Sequence, residues 1–503
     1  MDEPKKAPVT PHAMGHSSSD SLERGTIEEP HKPFSTLTAI GIGHGITNTA
    51  VGLLISLGST LPFGGAPAMI YGFIAMAIVG LCCAISLAEL SSAYPHAGGQ
   101  YFWVYKLAPK KYRGFLSCTT GILSWAGAVC TGASATLVVS TMTFAIVKLF
   151  HPDFVVETWM ICLGYQATLC ASFLFNFFER ALSILGKFLL ATTVLSIVVI
   201  FVSMLAGTSN RQPAGEVFGD FLNISGWPTG VAFFLGLNGP NWCFSCLDAA
   251  VHLADEVPNP AKNIPKALLW TIAVGAVTGF PLIIALFFSI QDMDEVINDA
   301  TGNPSLVAFL QIFSGNRAAA VALNILPIVS TFGAVIGVHT WQSRMAWAFA
   351  RNRGFPFASY LAKIAPAPFD APIWAHLWSL MFSCLLGFLY LASQTAFSSL
   401  ISAGILFQYM TYSTAIALLL RSSRKTLRHG PFWMPKMGFI SNVVVLVWTV
   451  AILFFYSFPY YNPVVANEMN YTSCIVVGFL VYSVAYWFLY GRSHFVLMDA
   501  DDH

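Results

Sequence analysis

The sequence predicts an all-α polytopic membrane protein of twelve transmembrane helices, two of them interrupted. Three observations predict it. The 503 residues are 56% hydrophobic and only 10% charged, with a mean hydropathy of +0.66, whereas a soluble domain carries about a quarter charged residues. Twelve stretches stay apolar over the roughly 20 residues that a bilayer crossing requires. Helix-breaking residues fall inside the first and the sixth of these stretches.

Residues 1–33 are polar, rich in Ser, Pro, Glu and His, and read as a disordered tail. No signal-peptide core precedes the first span, so that span is expected to direct insertion itself. The spans fall at 36–60, 66–93, 114–147, 157–178, 181–206, 228–252, 267–290, 318–346, 373–393, 396–420, 438–459 and 471–490. The third and eighth are long enough to extend beyond the bilayer. A transporter domain over 34–491 then divides into a first repeat (34–206), a second repeat (227–420) and two further helices (438–491). Residues 492–503 form a second tail.

Lys and Arg set the orientation. With the N-terminus inside, 21 of the 25 fall in inner segments and three (Lys148, Arg211 and Arg317) outside; Lys187 lies within span five. That asymmetry predicts both tails in the cytoplasm. The sequons at Asn223 and Asn470 then face outward as candidate glycosylation sites. The basic run Arg421–Arg428 reads as an inner loop near anionic lipid.

Span one reads LTAIGIGHGITNTAVGLLISL. Gly41, Gly43 and Gly45 weaken the helix, and the side chains of Thr47, Asn48 and Thr49 compete for its backbone groups. Close packing through small residues is the plainer reading of the glycines alone. Span six carries Asn238-Gly239-Pro240-Asn241 near its middle, followed by Asp248. Proline deletes a helix hydrogen bond, and a freed backbone group in hydrocarbon survives only inside protein or beside water. Paired interruptions at corresponding places in two halves point to an inverted-repeat transporter with its site at the breaks.

Other classes find no support. The ten cysteines lie in or against apolar segments, and Cys243-x-x-Cys246 stands alone, so buried small hydrophobes are expected and no metal site. A net charge of +1 gives no nucleic-acid signal. There is no nucleotide-binding loop, nucleophile triad or carboxylate pair, and the glycines at 41–45 lack the strand of a dinucleotide fold. No enzyme and no cofactor are expected.

The motifs resemble the amino acid/polyamine/organocation superfamily, in its fungal branch of amino acid, GABA and choline permeases. Glu89-Leu-Ser-Ser-Ala-Tyr-Pro-His-Ala-Gly-Gly-Gln100-Tyr-Phe-Trp103 is similar to its inner signature loop. Phe244-Ser-Cys-Leu-Asp248 through His252, Glu256 and Pro260 fits the branch, as do His339-Thr-Trp341-Gln-Ser-Arg344 and Ala350-Arg351-Asn-Arg-Gly354-Phe-Pro356. Phe288-Ser-Ile-Gln-Asp-Met-Asp, Leu389-Tyr-Leu-Ala-Ser, His429-Gly-Pro-Phe-Trp433 and Met469-Asn-Tyr471 resemble choline permeases more narrowly. The likeness covers about 34–491. It implies a LeuT-like five-plus-five inverted repeat with two extra helices, and alternating access that a proton gradient drives in many relatives. One departure stands out. Thr49-Ala50-Val51 follows the Thr-Asn of span one where fungal relatives place a small polar residue and aromatics, so one pocket wall is expected to be wider.

Candidate substrate contacts are Gly43, Gly45, Thr47, Asn48, Trp125, Asn241, Trp242, Phe244 and Asp248. Trp242 and Phe244 flank the span-six break and suit a cationic ammonium. Helix-end amides near Gly43 and Gly45 suit a carboxylate. Asp248 could balance a cation or carry a proton, with a structural acid as the alternative. His44 is a coupling candidate or a packing histidine. Lys187, which resembles a span-five lysine that replaces sodium in some relatives, is a second coupling candidate, with snorkelling as the plainer reading. Glu89, paired with Lys106, Arg113 or Arg344, is a candidate inner gate. The expected function is secondary active transport, proton-coupled, of an amino acid or choline-like amine across the lipid bilayer of the plasma membrane. The alternatives are a non-transporting nutrient sensor and a permease for a specialised metabolite.

Overall fold

A computed structural model describes residues 36–299, 301–422, 424, 428–465 and 469–497, with the side chains of 36, 179–183 and 185 excepted. The tail expected over 1–33, the last six residues of the second tail, and part of the basic run at 421–428 lie outside these residues.

The described residues form helices, with one isolated β-bridge between Phe63 and Asn223. Span one is split into α1 (Thr36–Thr47) and α2 (Thr49–Ile55). Then come α3 (Gly65–Ala93), the short α4 (Gln100–Leu107), the 38-residue α5 (Arg113–Phe150), α6 (Thr158–Phe175) and α7 (Glu179–Gly207). Span six is split into α8 (Thr229–Gly236), α9 (Asn238–Cys243) and a 3-10 helix over Leu247–Glu256. The chain continues through α10 (Pro260–Ser289), α11 (Arg317–Arg351), α12 (Ile373–Ala392), α13 (Gln394–Arg421), α14 (Pro435–Phe455) and α15 (Thr472–Tyr486). Brief helices in the connections carry no label here.

Eleven segments among the described residues are long and apolar enough to cross a membrane. They match eleven of the twelve expected spans. The twelfth, at 228–252, has the composition of a span but no continuous helix.

The first break falls at Asn48, in the left-handed region at φ 43, ψ 43. Asn is one of the few L-residues that enter that region at little cost. Its side chain is anchored by donating from Nδ2 to Ser330 Oγ at 3.1 Å. The span-six break lies later than the sequence suggests. Helical bonding runs through Pro240, since Asn241 N–H still donates to Leu237 O at 2.8 Å. Pro240 cannot bond Gly236, and the Gly236 carbonyl accepts from Thr60 Oγ1 at 3.1 Å instead. Proline therefore gives only the one-residue interruption at Leu237 between α8 and α9. The wider break comes at Phe244–Cys246, where Cys246 adopts φ 65, ψ 23. A cysteine there costs about 1–2 kcal/mol, offset by its N–H donating to Gln408 Oε1 at 3.0 Å.

These breaks face one another. α2 packs against α9, α1 against the 3-10 helix, and α11 against α1, α2 and the 3-10 helix, while Thr131 of α5 and Gln408 of α13 reach the second break. Lipid-type apolar side chains are exposed on the outer helices, among them Ile78, Leu163, Val277 and Val447, as expected of a protein whose solvent is hydrocarbon.

Candidate functional site

At the junction of the two breaks lies a cavity of about 20 Å³, room for about one water. Its lining includes Thr47 and Asn48 from the first break, Trp242, Ser245 and Cys246 from the second, and Thr131 and Thr331 from α5 and α11. No charged side chain lines it. Any larger solute requires these walls to part.

The lining hydroxyls are oriented alike. Thr47 Oγ1 donates to Gly43 O at 2.9 Å, Thr131 Oγ1 to Gly127 O at 2.9 Å, Ser245 Oγ to Trp242 O at 2.7 Å and Thr331 Oγ1 to Pro327 O at 2.7 Å. A carbonyl only accepts, so each hydroxyl spends its hydrogen on the backbone and keeps acceptor capacity alone, part of which at Thr131 goes to Gln408 Nε2. The half-buried Trp242 ring adds a π face. The site offers acceptors and an aromatic surface without a fixed charge.

Of the residues expected from sequence, Thr47, Asn48 and Trp242 line this cavity. Gly43 lies on α1 against Ala250 and Thr271, and Gly45 faces open space. Asn241 is buried beside the cavity, where its Oδ1 accepts from Tyr409 O–H at 2.9 Å. Phe244 packs into the core on Phe73, ring centroids 5.0 Å apart. Trp125 donates to Ser379 Oγ at 3.1 Å and packs among Phe355, Trp378 and Phe382. Neither aromatic reaches the cavity. Thr131, Ser245, Cys246 and Thr331 were missed. Pro327, inside α11 and one turn before Thr331, is the one sequence signal that could have drawn attention to that wall.

Asp248 is off the cavity. Its Oδ2 accepts from Gln100 Nε2 at 2.6 Å and its Oδ1 from Tyr412 O–H at 2.5 Å. Each carboxylate oxygen thus already holds one donor, two residues beyond the lining residue Cys246. His252 lies 3.5 Å from the same carboxylate.

The expected coupling and gating groups resolve differently. His44 is fully buried on α1 with no hydrogen-bond partner for either ring nitrogen, and it does not line the cavity. Lys187 is exposed on α7 and stays away from the site. The pairing of Glu89 with Lys106, Arg113 or Arg344 is corrected. Glu89 is held in bidentate fashion by Arg424, both contacts 2.8 Å, and accepts from Met434 N–H at 2.9 Å. Arg344 instead donates to Glu256 at 2.9 and 3.3 Å, and Arg351 to Asp255 at 3.0 Å. α11 thus meets the 3-10 helix through two ion pairs.

Asn470 is corrected as a glycosylation site. It is 2% exposed, and its Nδ2 donates to Tyr456 O at 2.8 Å and Phe458 O at 3.0 Å. A buried amide nitrogen with two acceptors leaves no room for a glycan. Asn223 is half-buried, with Nδ2 donating to Trp227 O at 2.8 Å. The ten cysteines are unpaired, and among the described residues no His, Cys, Asp and Glu cluster could hold a metal.

Residues 34–480 match the family model described as "Amino acid permease". The chain is 45% identical to the transmembrane transporter swnT of Metarhizium robertsii, over 98% of this chain and 97% of that one. It is 44% identical to the swainsonine transporter swnT of Arthroderma benhamiae, over 94% and 93%. It is 40% identical to the choline transporter of Saccharomyces cerevisiae, over 94% and 84%. With its interrupted helices, acceptor-lined cavity and family match across the bundle, the chain belongs to the amino acid permease family and is a multi-pass membrane transporter, not an enzyme.

Proposed function

We infer that this transporter moves a compact, hydroxylated, positively charged amine. The cavity lining carries the reading. Four hydroxyls present lone pairs and Trp242 presents a π face, which suits a solute rich in O–H or N–H donors and bearing a diffuse cation. A free amino acid fits less well, because its carboxylate needs donors. The nearest helix start, α2, is only seven residues long and carries a weak dipole. Swainsonine and choline, the solutes named for two of the relatives, are both small hydroxylated amines.

The reading extends to mechanism and placement. The transporter domain is taken as twelve spans in a five-plus-five inverted repeat with two added helices, span six being the broken twelfth. Alternating access opens the contracted cavity to each side in turn. A proton gradient drives it, both termini are cytoplasmic by the Lys and Arg bias, and the membrane is the plasma membrane.

Uptake into proteoliposomes under an imposed pH gradient tests this, with labelled choline and with hydroxylated bicyclic amines and neutral amino acids as competitors. Accumulation of choline or competition by the bicyclic amine is expected. Accumulation of neutral amino acids alone overturns the amine reading.

A further inference from the structure

We propose that Asp248 and His252 together form the site that binds the coupled proton. The proposal rests on the proton-coupled reading above.

The geometry of His252 carries it. Its Nδ1 stands 2.7 Å from Ala97 O, and a carbonyl cannot donate, so Nδ1 holds the ring hydrogen. In the neutral ring Nε2 is then a bare lone pair. It lies 3.5 Å from Asp248 Oδ2 and makes no hydrogen bond within the protein. Two acceptors 3.5 Å apart, on residues each 1% exposed, lack one proton between them. Hydronium gives its proton to Nε2: an O–H bond breaks, an N–H bond forms, and neutral water is left. Nε2 becomes a donor, and the charge of the pair goes from −1 to 0. Release to the opposite side restores the charge.

The surroundings are built for this pair. A Cβ on Gly99, which sits at φ +52, would come within 2.9 Å of His252 Cε1, so only glycine lets the inner loop approach the ring. Gln100 and Tyr412 hold the carboxylate. The other titratable and charged groups near by include His96 on the inner loop, Lys106 on α4, Cys246 and the ion-paired Asp255 and Glu256 on the broken span, Cys83 on α3, and Arg351 and Arg344 from α11. α1 and α10 meet this helix through Gly43, Ala250 and Thr271, with His44 the titratable group on α1.

A physical link joins the pair to the cavity. Tyr412, on Asp248, is one turn from Gln408 on α13. Gln408 holds the strained Cys246 amide and donates to Thr131 Oγ1 at 2.9 Å. Both Cys246 and Thr131 line the cavity. An imidazolium at His252 draws the Asp248 charge away from Tyr412, weakens the Tyr412 bond and so bears on the turn that shapes the solute site.

The test uses the full chain in proteoliposomes loaded with a pH-sensitive dye. The probes are labelled choline and a panel of neutral amino acids, in counterflow exchange and under a pH gradient. His252→Asn keeps a donor for Ala97 but cannot take the proton; His252→Gln replaces it if the first fails to fold. The expected result is exchange retained, the accumulation ratio falling to one, and proton entry lost, with Asp248→Asn losing accumulation likewise. Gradient-driven accumulation with proton entry in the His252 variant overturns the site while coupled transport stands. Loss of exchange and accumulation together in folded variant assigns His252 a structural role and overturns the site. Wild-type exchange without gradient dependence, or no exchange of any probe, overturns the underlying reading and the proposal with it.

Discussion

Gln100 donates to Asp248 at 2.6 Å, across 148 residues of chain. The contact joins the loop after α3 to the broken sixth span, the two segments whose motifs are most distinctive in the sequence. Each motif is explained by the other: the loop supplies a donor, and the span supplies a buried carboxylate that needs one.

Replacing Gln100 by Leu removes that donor and leaves Tyr412 as the remaining one. Hydrogen bonds to charged groups contribute about 1.5–3 kcal/mol, so Gln100→Leu is expected to lower stability by about that amount. Thermal unfolding of the purified protein measures it. An unchanged midpoint would show that the contact carries no net stability.

Trp242 is expected to bind through its ring face. Trp242→Ala should weaken a cationic amine by about 1–2 kcal/mol, roughly five- to thirty-fold in affinity, while Trp242→Phe keeps most of it. Competition against an uncharged isostere separates charge from shape. Equal losses for both solutes would mean simple packing.

Arg424 and Glu89 form a bidentate pair whose side chains are 10% and 0% exposed. Breaking one partner of such a pair typically costs about 3–5 kcal/mol, because the other is left buried and uncompensated. Arg424→Ala and Glu89→Gln are each expected to destabilise, and the double variant by less than their sum. Additive losses in the cycle would show that the two do not interact.

Pro240 and Gly239 are expected to separate. Pro240→Ala offers Gly236 an ordinary helix partner and leaves the break at Phe244–Cys246 intact, so transport should persist. Gly239→Ala drives a Cβ into Thr60 Oγ1 and should impair folding or transport. The reverse pattern in uptake assays would put the functional break back at the proline.

Asn470→Gln is expected to leave gel mobility unchanged before and after glycosidase treatment, yet to lower stability, since two backbone carbonyls lose their donor. A glycan lost with this substitution would contradict the burial of the amide.

The sequence by itself determined the class, eleven segments long and apolar enough to cross a membrane, and the interruption of the first and sixth spans. These follow from local causes: apolar length, glycine, proline, and an Asn able to enter the left-handed region. It also marked Thr47, Asn48 and Trp242, because a site at helix breaks must use residues beside them. Only the tertiary structure decided the rest. It moved the wider sixth-span break from Pro240 to Phe244–Cys246, because Thr60, far away in sequence, satisfies the carbonyl that proline frees. It brought Thr131 and Thr331 to the cavity and took Trp125 and Phe244 away, since the facing of long apolar helices depends on their neighbours. It gave Glu89 to Arg424 and Arg344 to Glu256, because the partner of a buried charge is set by which helix ends meet, and spacing along the chain carries no trace of that meeting.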